Sequence, residues 1–286
     1  MKSAALQKNM IDPAIQQALA EDLGRGGDIT SNSVIAEKTK ATVVMTAREA
    51  GIISGLDVAC RVFELVDQDL KINPLKQDGQ KVGLGDQVLK VSGNARSILI
   101  AERVALNFVG HMSGIASKTS LMVDKVGNYK AKVCSTRKTL PGLRMFEKYA
   151  VKTGGGMNHR LGLDDAVLIK DNHIAMAGGI GIALERARQS IGHTVKVEIE
   201  VDTLEQLSEV LEIGLADIVM LDNFSNADLK TAVDQIKGRL IVEASGGVTP
   251  ETIMDIAATG VDMISVGGLT HSAANLDVGL DFYAVA

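Results

Sequence analysis

The stretch VEIEVDTLEQLSEVLEIGLADIVML, residues 197 to 221, holds the unit from which the second half of the chain is built. It opens on an apolar run, VEIEV, and passes through a segment in which Leu204, Leu207, Val210 and Leu211 share one helical face. It then stops at Gly214 and enters a second apolar run, DIVML (217 to 221). A short apolar run bounded by turns reads as a strand covered on both sides, the three-and-four spacing as an amphipathic helix, and the glycine as its C-cap. The unit returns: LIVEA (240 to 244) and MISVG (263 to 267) follow at intervals of roughly 22 residues, the length of a strand, a helix and two short turns. Between these two, TPETIMDIAATG (249 to 260) predicts a helix with Thr249 as N-cap, Pro250 at the first helical position and Gly260 as terminator.

Working backwards, KVCST (132 to 136) and AVLIK (166 to 170) add two earlier strands, with a helix signal from Pro141 through FEKYAVKTGG between them. Six βα-type steps either wind an open, doubly wound sheet or close into a barrel. The barrel is preferred because each predicted strand ends in polar residues or glycine: Arg137/Lys138, Lys170, Glu200, Asp222, Ser245/Gly246 and Gly267/Gly268. In a barrel those ends converge on one mouth.

The first 112 residues read differently. A helical DPAIQQALAEDLG leads through the glycine turn GRGGDITS to the strand candidate ATVVMTAREAGIISG, a helical VACRVFELV and a strand-turn-strand GQKVGLGDQVLKVSG. Within the last, GLGDQVLKVSG has a faint likeness to biotinyl and lipoyl domains but lacks their exposed lysine hairpin, so it reads as a structural turn. From Ala95 onward a long helical periodicity carries the chain toward the barrel. The expectation is α/β architecture in two domains, residues 1 to 112 and 113 to 272, with the tail 273 to 286 packing on the first.

Composition narrows the function classes. With 286 residues, 46% hydrophobic and 23% charged, the chain can bury a large core, and the absence of Trp leaves Val, Ile, Leu, Met and Ala to build it. Scarce aromatics and a net charge of −5 argue against nucleic acid as a partner. Lys2 and Lys8 precede no unbroken apolar segment, and no stretch is apolar enough to span a bilayer, so a cytoplasmic location is expected. Cys60 and Cys134 have no metal-ligand spacing and read as small core residues.

Three constellations carry chemistry. The glycine pairs in EASGGV (243 to 248) and SVGGLT (265 to 270) recur at equivalent places, where consecutive amides can cradle phosphate oxygens or simply make βα turns. Glu200 and Asp222 end adjacent strands and can hold sugar hydroxyls, bind Mg²⁺ or stabilise a developing cation; Glu198 shares the strand face of Glu200 and stays open as an alternative. Arg137, Lys138, His159, Arg160 and Lys170 gather at the same end, a set suited to a small polyanion, whereas Arg144, Lys148 and Lys152 fall at helical spacing and read as a solvated helix face. His111, His173, His193 and His271 are isolated and read as structural or surface residues.

Taken together, STRKT (135 to 139), NHRLGLDDAVLIKDNHI (158 to 174), VEIEVDTLEQ (197 to 206), VMLDNF (219 to 224), ASGGVT (244 to 249) and GVDMISVGGLTHS (260 to 272) resemble the quinolinate phosphoribosyltransferase family. EDLGRGGDITS and AERVALNFVGHMSGIAS extend the likeness over nearly the whole chain. The resemblance implies an N-terminal α/β sandwich plus an incomplete (β/α) barrel. It also implies transfer of phosphoribose from phosphoribosyl pyrophosphate to quinolinate, with loss of CO₂ and pyrophosphate, giving nicotinate mononucleotide for NAD synthesis.

The resemblance implies roles as well. Arg137, His159, Arg160 and Lys170 would bind the pyridine dicarboxylate. Lys138 would be shared with the phosphoribosyl donor and, with Glu200 and Asp222, form the catalytic set. Glu200 and Asp222 would lie near the ribose and Mg²⁺. Ser245, Gly246, Gly247, Gly267 and Gly268 would hold the 5′-phosphate, and Arg103 would arrive from the partner subunit of a homodimer. The rival expectations are a related phosphoribosyltransferase for another aromatic acid and a non-catalytic barrel that senses phosphorylated metabolites.

Overall fold

The computed structural model describes residues 6 to 285; residues 1 to 5, with Lys2, and Ala286 lie outside the described residues. In chain order the first stretch comprises α1 (Lys8–Leu23), α2 (Ile29–Val34), β1 (Lys40–Ala47), β2 (Gly51–Ile52), α3 (Leu56–Val66), β3 (Lys71–Pro74), β4 (Lys81–Val82), β5 (Gln87–Asn94) and the long α4 (Ala95–Val126). There follow β6 (Lys132–Ser135), α5 (Arg144–Thr153), β7 (Met157–Asn158), β8 (Val167–Ile169), α6 (Asp171–Ala177), α7 (Ile180–Ser190), β9 (Val197–Val201), α8 (Leu204–Ile213), β10 (Ile218–Asp222), α9 (Asn226–Ile236), β11 (Ile241–Ser245), α10 (Ile253–Ala258), β12 (Met263–Ser265), α11 (Gly268–His271) and β13 (Val278–Val285).

The chain divides into two compact units, one of residues 1 to 120, 140 to 155 and 272 to 286, the other of 121 to 139 and 156 to 271. The division between these units falls within α4, and α5 belongs to the first. That unit carries a four-stranded antiparallel sheet in the order β13-β1-β5-β3, with α1 packed on α3. The C-terminal tail thus adds an edge strand to β1. The tail reaches it across α4, where Gly110 and Gly114 leave the helix surface bare: Leu276 N–H donates to Gly110 O at 2.9 Å, and a methyl on Gly114 would stand 1.9 Å from Ala274 O.

The second unit is a curled, all-parallel sheet of seven strands in the order β7-β6-β12-β11-β10-β9-β8. Read as a ring, this is chain order with the sheet's last strand, β12, beside its first, β6, and one break between β7 and β8. That cyclic order is the barrel's and not the switched order of a doubly wound sheet. The barrel is incomplete because β7 has only two residues and does not reach β8.

Period-two alternation builds the two faces. In β9, Val197, Ile199 and Val201 pack outward under the helices while Glu198 and Glu200 point inward, so every residue of the strand is buried. Helix α8 covers β9 with Leu207 and Val210; Thr203 caps it by accepting from Gln206 N–H, and Gly214 ends it at φ 68°.

Several expectations need correction. Helix α10 begins at Ile253, not at Thr249 and Pro250: those residues form a turn in which Thr249 O accepts from Ile253 N–H at 3.0 Å. Likewise α5 starts at Arg144, with Pro141 in the preceding turn. Lys148 is only 1% exposed and Arg144 half-buried, so of the three basic residues on α5 Lys152 alone faces solvent. The segment 79 to 93 is not a hairpin, because β4 pairs with β2 while β5 pairs with β1 and β3. The run 41 to 55 is two strands, β1 and β2, with a bend between them. Of the cysteines, Cys134 is buried and Cys60 half-buried, its thiol pushed up to about 12 by burial.

Candidate active site

A cavity of about 340 Å³ opens at the C-terminal ends of the barrel strands, within the size range of small-molecule sites. Its walls are Thr136, Arg137, Lys138, His159, Arg160, Leu168, Lys170, Glu200, Met220, Asp222, Ser245 and Ser265. Eight residues singled out in the sequence meet here: Arg137, Lys138, His159, Arg160, Lys170, Glu200, Asp222 and Ser245. Register explains the convergence, since Glu200 pairs with Met220, Met220 with Glu243, and Asp222 with Ser245, and paired residues of parallel strands face the same way.

Four cations and two carboxylates line the cavity, an excess of two positive charges. Lys170 Nζ is bound to Glu200 Oε2, and Asp222 Oδ2 accepts from Asn223 Nδ2 at 2.6 Å. Burial, and then the neighbouring Arg137 charge, lower the Arg160 pKa. Arg137 Nε is buried with no hydrogen-bond partner among the described residues. An uncompensated guanidinium donor beside a second guanidinium is a standing demand for an anion.

The two glycine pairs meet different needs. Gly246 (φ 98°) and Gly247 (φ 57°) hold positive φ, and a methyl on Gly246 would lie 2.9 Å from Asn223 N. Gly267 supplies space instead: a methyl there would meet Lys138 Cδ at 2.9 Å and His271 Nε2 at 3.4 Å. Gly268 begins the four-residue α11. Arg103 is exposed on α4, in the first unit, and is not among the cavity's lining residues.

Beneath the cavity lies a buried layer. Glu198, left open beside Glu200, is 3% exposed, and its Oε2 lies 2.7 Å from His159 Nε2. Glu243, inside the quoted EASGGV but not recognised as functional, is equally buried and accepts the Ser265 hydroxyl on Oε1. Its signal was the strand alternation, which puts it on the face of Ser245. Met220, Leu168 and Ser265 were also missed, although each stands two residues before Asp222, Lys170 or Gly267 on the same strand face; Thr136, just past β6, does not follow from the alternation.

Burial, and next the Glu198 charge, raise the Glu243 carboxyl from 4.5 to about 7. A carboxyl that holds its proton more tightly folded than unfolded lowers stability as pH rises through the window between those values, about 4.5 to 7, and leaves a constant penalty above it. Glu243→Gln should flatten this slope, so that its melting temperature falls less than the parent's between about pH 5 and pH 8. Equal falls in thermal melts at the two pH values would refute this.

Family models match both parts of the chain: the N-terminal domain of quinolinate phosphoribosyl transferase over residues 28 to 113 and its C-terminal domain over residues 115 to 281. A relative from Mycobacterium leprae named nicotinate-nucleotide pyrophosphorylase [carboxylating] is 45% identical, the match covering 93% of this chain and 95% of the relative. A chloroplastic protein of the same name from Arabidopsis thaliana is 45% identical over 93% of this chain and 81% of its own length. Among solved structures, the nicotinate-nucleotide pyrophosphorylase from Francisella tularensis superposes with a TM-score of 0.93 at 41% identity, over 99% of each chain. Human nicotinic acid phosphoribosyltransferase, at 13% identity and a TM-score of 0.58 over 99% of this chain and 75% of its own, shares the fold.

Proposed function

The chain belongs to the quinolinate phosphoribosyltransferase family, and we propose that the cavity performs that family's reaction on quinolinate and phosphoribosyl pyrophosphate. The observation that carries the substrate is the excess of two positive charges around the buried, unpartnered Arg137 Nε, which complements a pyridine with two adjacent carboxylates. A monocarboxylate would leave one of those charges unmatched. Arg137, Arg160, Lys138 and Lys170 then orient the ring so that its nitrogen faces C1 of the donor.

As the nitrogen bonds to C1, the C1–oxygen bond to pyrophosphate breaks and positive charge develops on the ribose. Glu200 and Asp222, on adjacent strands and lining the cavity, would stabilise it in this reading. Ribosylation leaves the ring nitrogen cationic, so the electron pair left at C2 by departing CO₂ is drawn toward it, and C2 takes a proton from solvent. The reaction needs no covalent nucleophile from the protein. The turns at Ser245, Gly246, Gly247, Gly267 and Gly268 present main-chain amides toward the 5′-phosphate in this reading.

Glu200 and Asp222 fit Mg²⁺ through the chemistry of their donors, two hard carboxylates of the kind that hold this ion alongside substrate phosphates. Bound there, the ion would neutralise charge on the leaving pyrophosphate. A homodimer in which Arg103 is supplied by the partner subunit, and a cytoplasmic location, complete the proposal; among the described residues no helix is long and apolar enough to cross a membrane.

The test is direct. Purified protein with quinolinate, phosphoribosyl pyrophosphate and Mg²⁺ should form nicotinate mononucleotide, CO₂ and pyrophosphate in equal amounts. No product with any divalent metal would sink the assignment.

A further inference from the structure

His159 is held from both sides. Its Nδ1 accepts the main-chain N–H of Arg160 at 2.8 Å, and its Nε2 lies 2.7 Å from Glu198 Oε2 and 3.9 Å from Glu243 Oε1. A ring nitrogen that accepts carries no proton, so the proton sits on Nε2 and is donated to Glu198. The imidazole is therefore neutral. Protonating Nδ1 would set its hydrogen against the Arg160 N–H.

The three side chains His159, Glu198 and Glu243 bring ligand atoms within 4.8 Å of one another, close enough for a divalent cation. Ligation through Nε2 would require the proton on Nδ1, where the Arg160 amide already points. The cluster is therefore a hydrogen-bonded clasp rather than a metal site.

The clasp falls where the sheet has no ladder. Residues 159 to 166 cross from β7 to β8, the one break in the ring, with Leu161 N–H donating to Asp165 Oδ2 at 2.9 Å and Arg160 Nη1 to Ala166 O at 3.0 Å. The His159–Glu198 bond ties this loop to β9.

We propose that Glu198 is a positioning residue: its buried carboxylate locks His159 as the neutral Nε2–H tautomer, and the locked ring orients the Arg160 main chain so that the guanidinium faces the pyridine dicarboxylate. Glu243, which accepts the Ser265 hydroxyl, lies 3.9 Å from the same Nε2. Substrate charge is then met by Arg137, Lys138, Arg160 and Lys170, while His159 supplies geometry. Glu198 from β9, Glu243 from β11 and Arg160 beside it in the loop all face the imidazole.

The kinetic arm of the test rests on the quinolinate reading; the spectroscopic arm needs no substrate, so the two can fail separately. In histidine-labelled protein, nitrogen-detected spectra should show His159, assigned by its loss in His159→Gln, as a neutral Nε2–H ring from about pH 6 to 8. Glu198→Ala should mix the tautomers and raise the quinolinate KM about tenfold or more, with the KM for phosphoribosyl pyrophosphate within about twofold. Glu198→Gln keeps an acceptor oxygen and should recover the tautomer and most of the quinolinate KM. An imidazolium at neutral pH in the parent, an unchanged ring in Glu198→Ala, or equal impairment in the alanine and glutamine variants would overturn the proposal. Should the alanine variant not fold, the parent spectrum and the glutamine variant still decide.

Discussion

Lys138→Ala is expected to lower kcat/KM by about a thousandfold or more, the scale of removing a charge aimed at a reacting centre. The lysine is exposed to the cavity, but its main chain is fixed: its N–H donates to Thr136 Oγ1 at 3.0 Å and its carbonyl accepts from Thr270 Oγ1 at 2.7 Å. Its side chain runs past Gly267, where no Cβ obstructs it. The ammonium is thus delivered from β6 by contacts on the β12 turn, and alanine removes it while leaving those contacts in place. Steady-state kinetics should show a fall in kcat and a rise in the KM of both substrates, with an unshifted melting temperature; near-normal turnover would remove Lys138 from the mechanism. The same variant tests the proposed sharing of sites. If Arg103 comes from the partner subunit, mixing inactive Lys138→Ala and Arg103→Ala subunits in equal amounts should restore roughly a quarter of parental activity, since half the dimers are mixed and each has one intact site. No recovery after verified subunit exchange would refute the shared site.

Gly114→Ala should be the most destabilising single methyl in the first unit, by about 3 kcal/mol or more. Glycine within a helix ordinarily gains from alanine by propensity, up to about 1 kcal/mol. Here the added carbon would stand 1.9 Å from Ala274 O, 2.9 Å from its carbonyl carbon and 3.0 Å from Asn275 Cα, all main-chain atoms that cannot rotate away. Relief requires lifting residues 274 to 276 off α4, which breaks the Leu276 N–H bond to Gly110 O and pulls on β13. Denaturant unfolding should show a lowered midpoint; a stabilised variant would mean that the tail crosses α4 elsewhere.

The barrel was legible because its physics is local and repeated. VEIEV and DIVML each carry the period-two pattern of a strand, and Thr203, Gly214 and the Leu207/Val210 stripe specify the helix between them without reference to any other part of the chain. Polar residues at the strand ends were legible for the same reason, since a buried parallel strand has no other use for them. Hence the sequence alone gathers Arg137, Lys138, Lys170, Glu200, Asp222 and Ser245 at one mouth.

Elements whose identity depends on remote partners were not. Two-residue β7 and β2 have no pattern to read, and β4 and β5, adjacent in sequence, turn to different sheets. Helical spacing put Lys148 on a solvated face; only packing buries it at 1% exposure.

Within the site, the sequence by itself determined which residue types stand at each strand end, because strand period and turn chemistry are properties of a few consecutive residues. Only the tertiary structure decided how the inward acids divide. Glu198 and Glu200 are indistinguishable two residues apart on one strand face, yet one is clasped beneath His159 and the other reaches the cavity wall beside Lys170. Depth along a barrel axis is set by the register of neighbouring strands, and electrostatic environment follows depth. Neither is written in the strand that carries the residue.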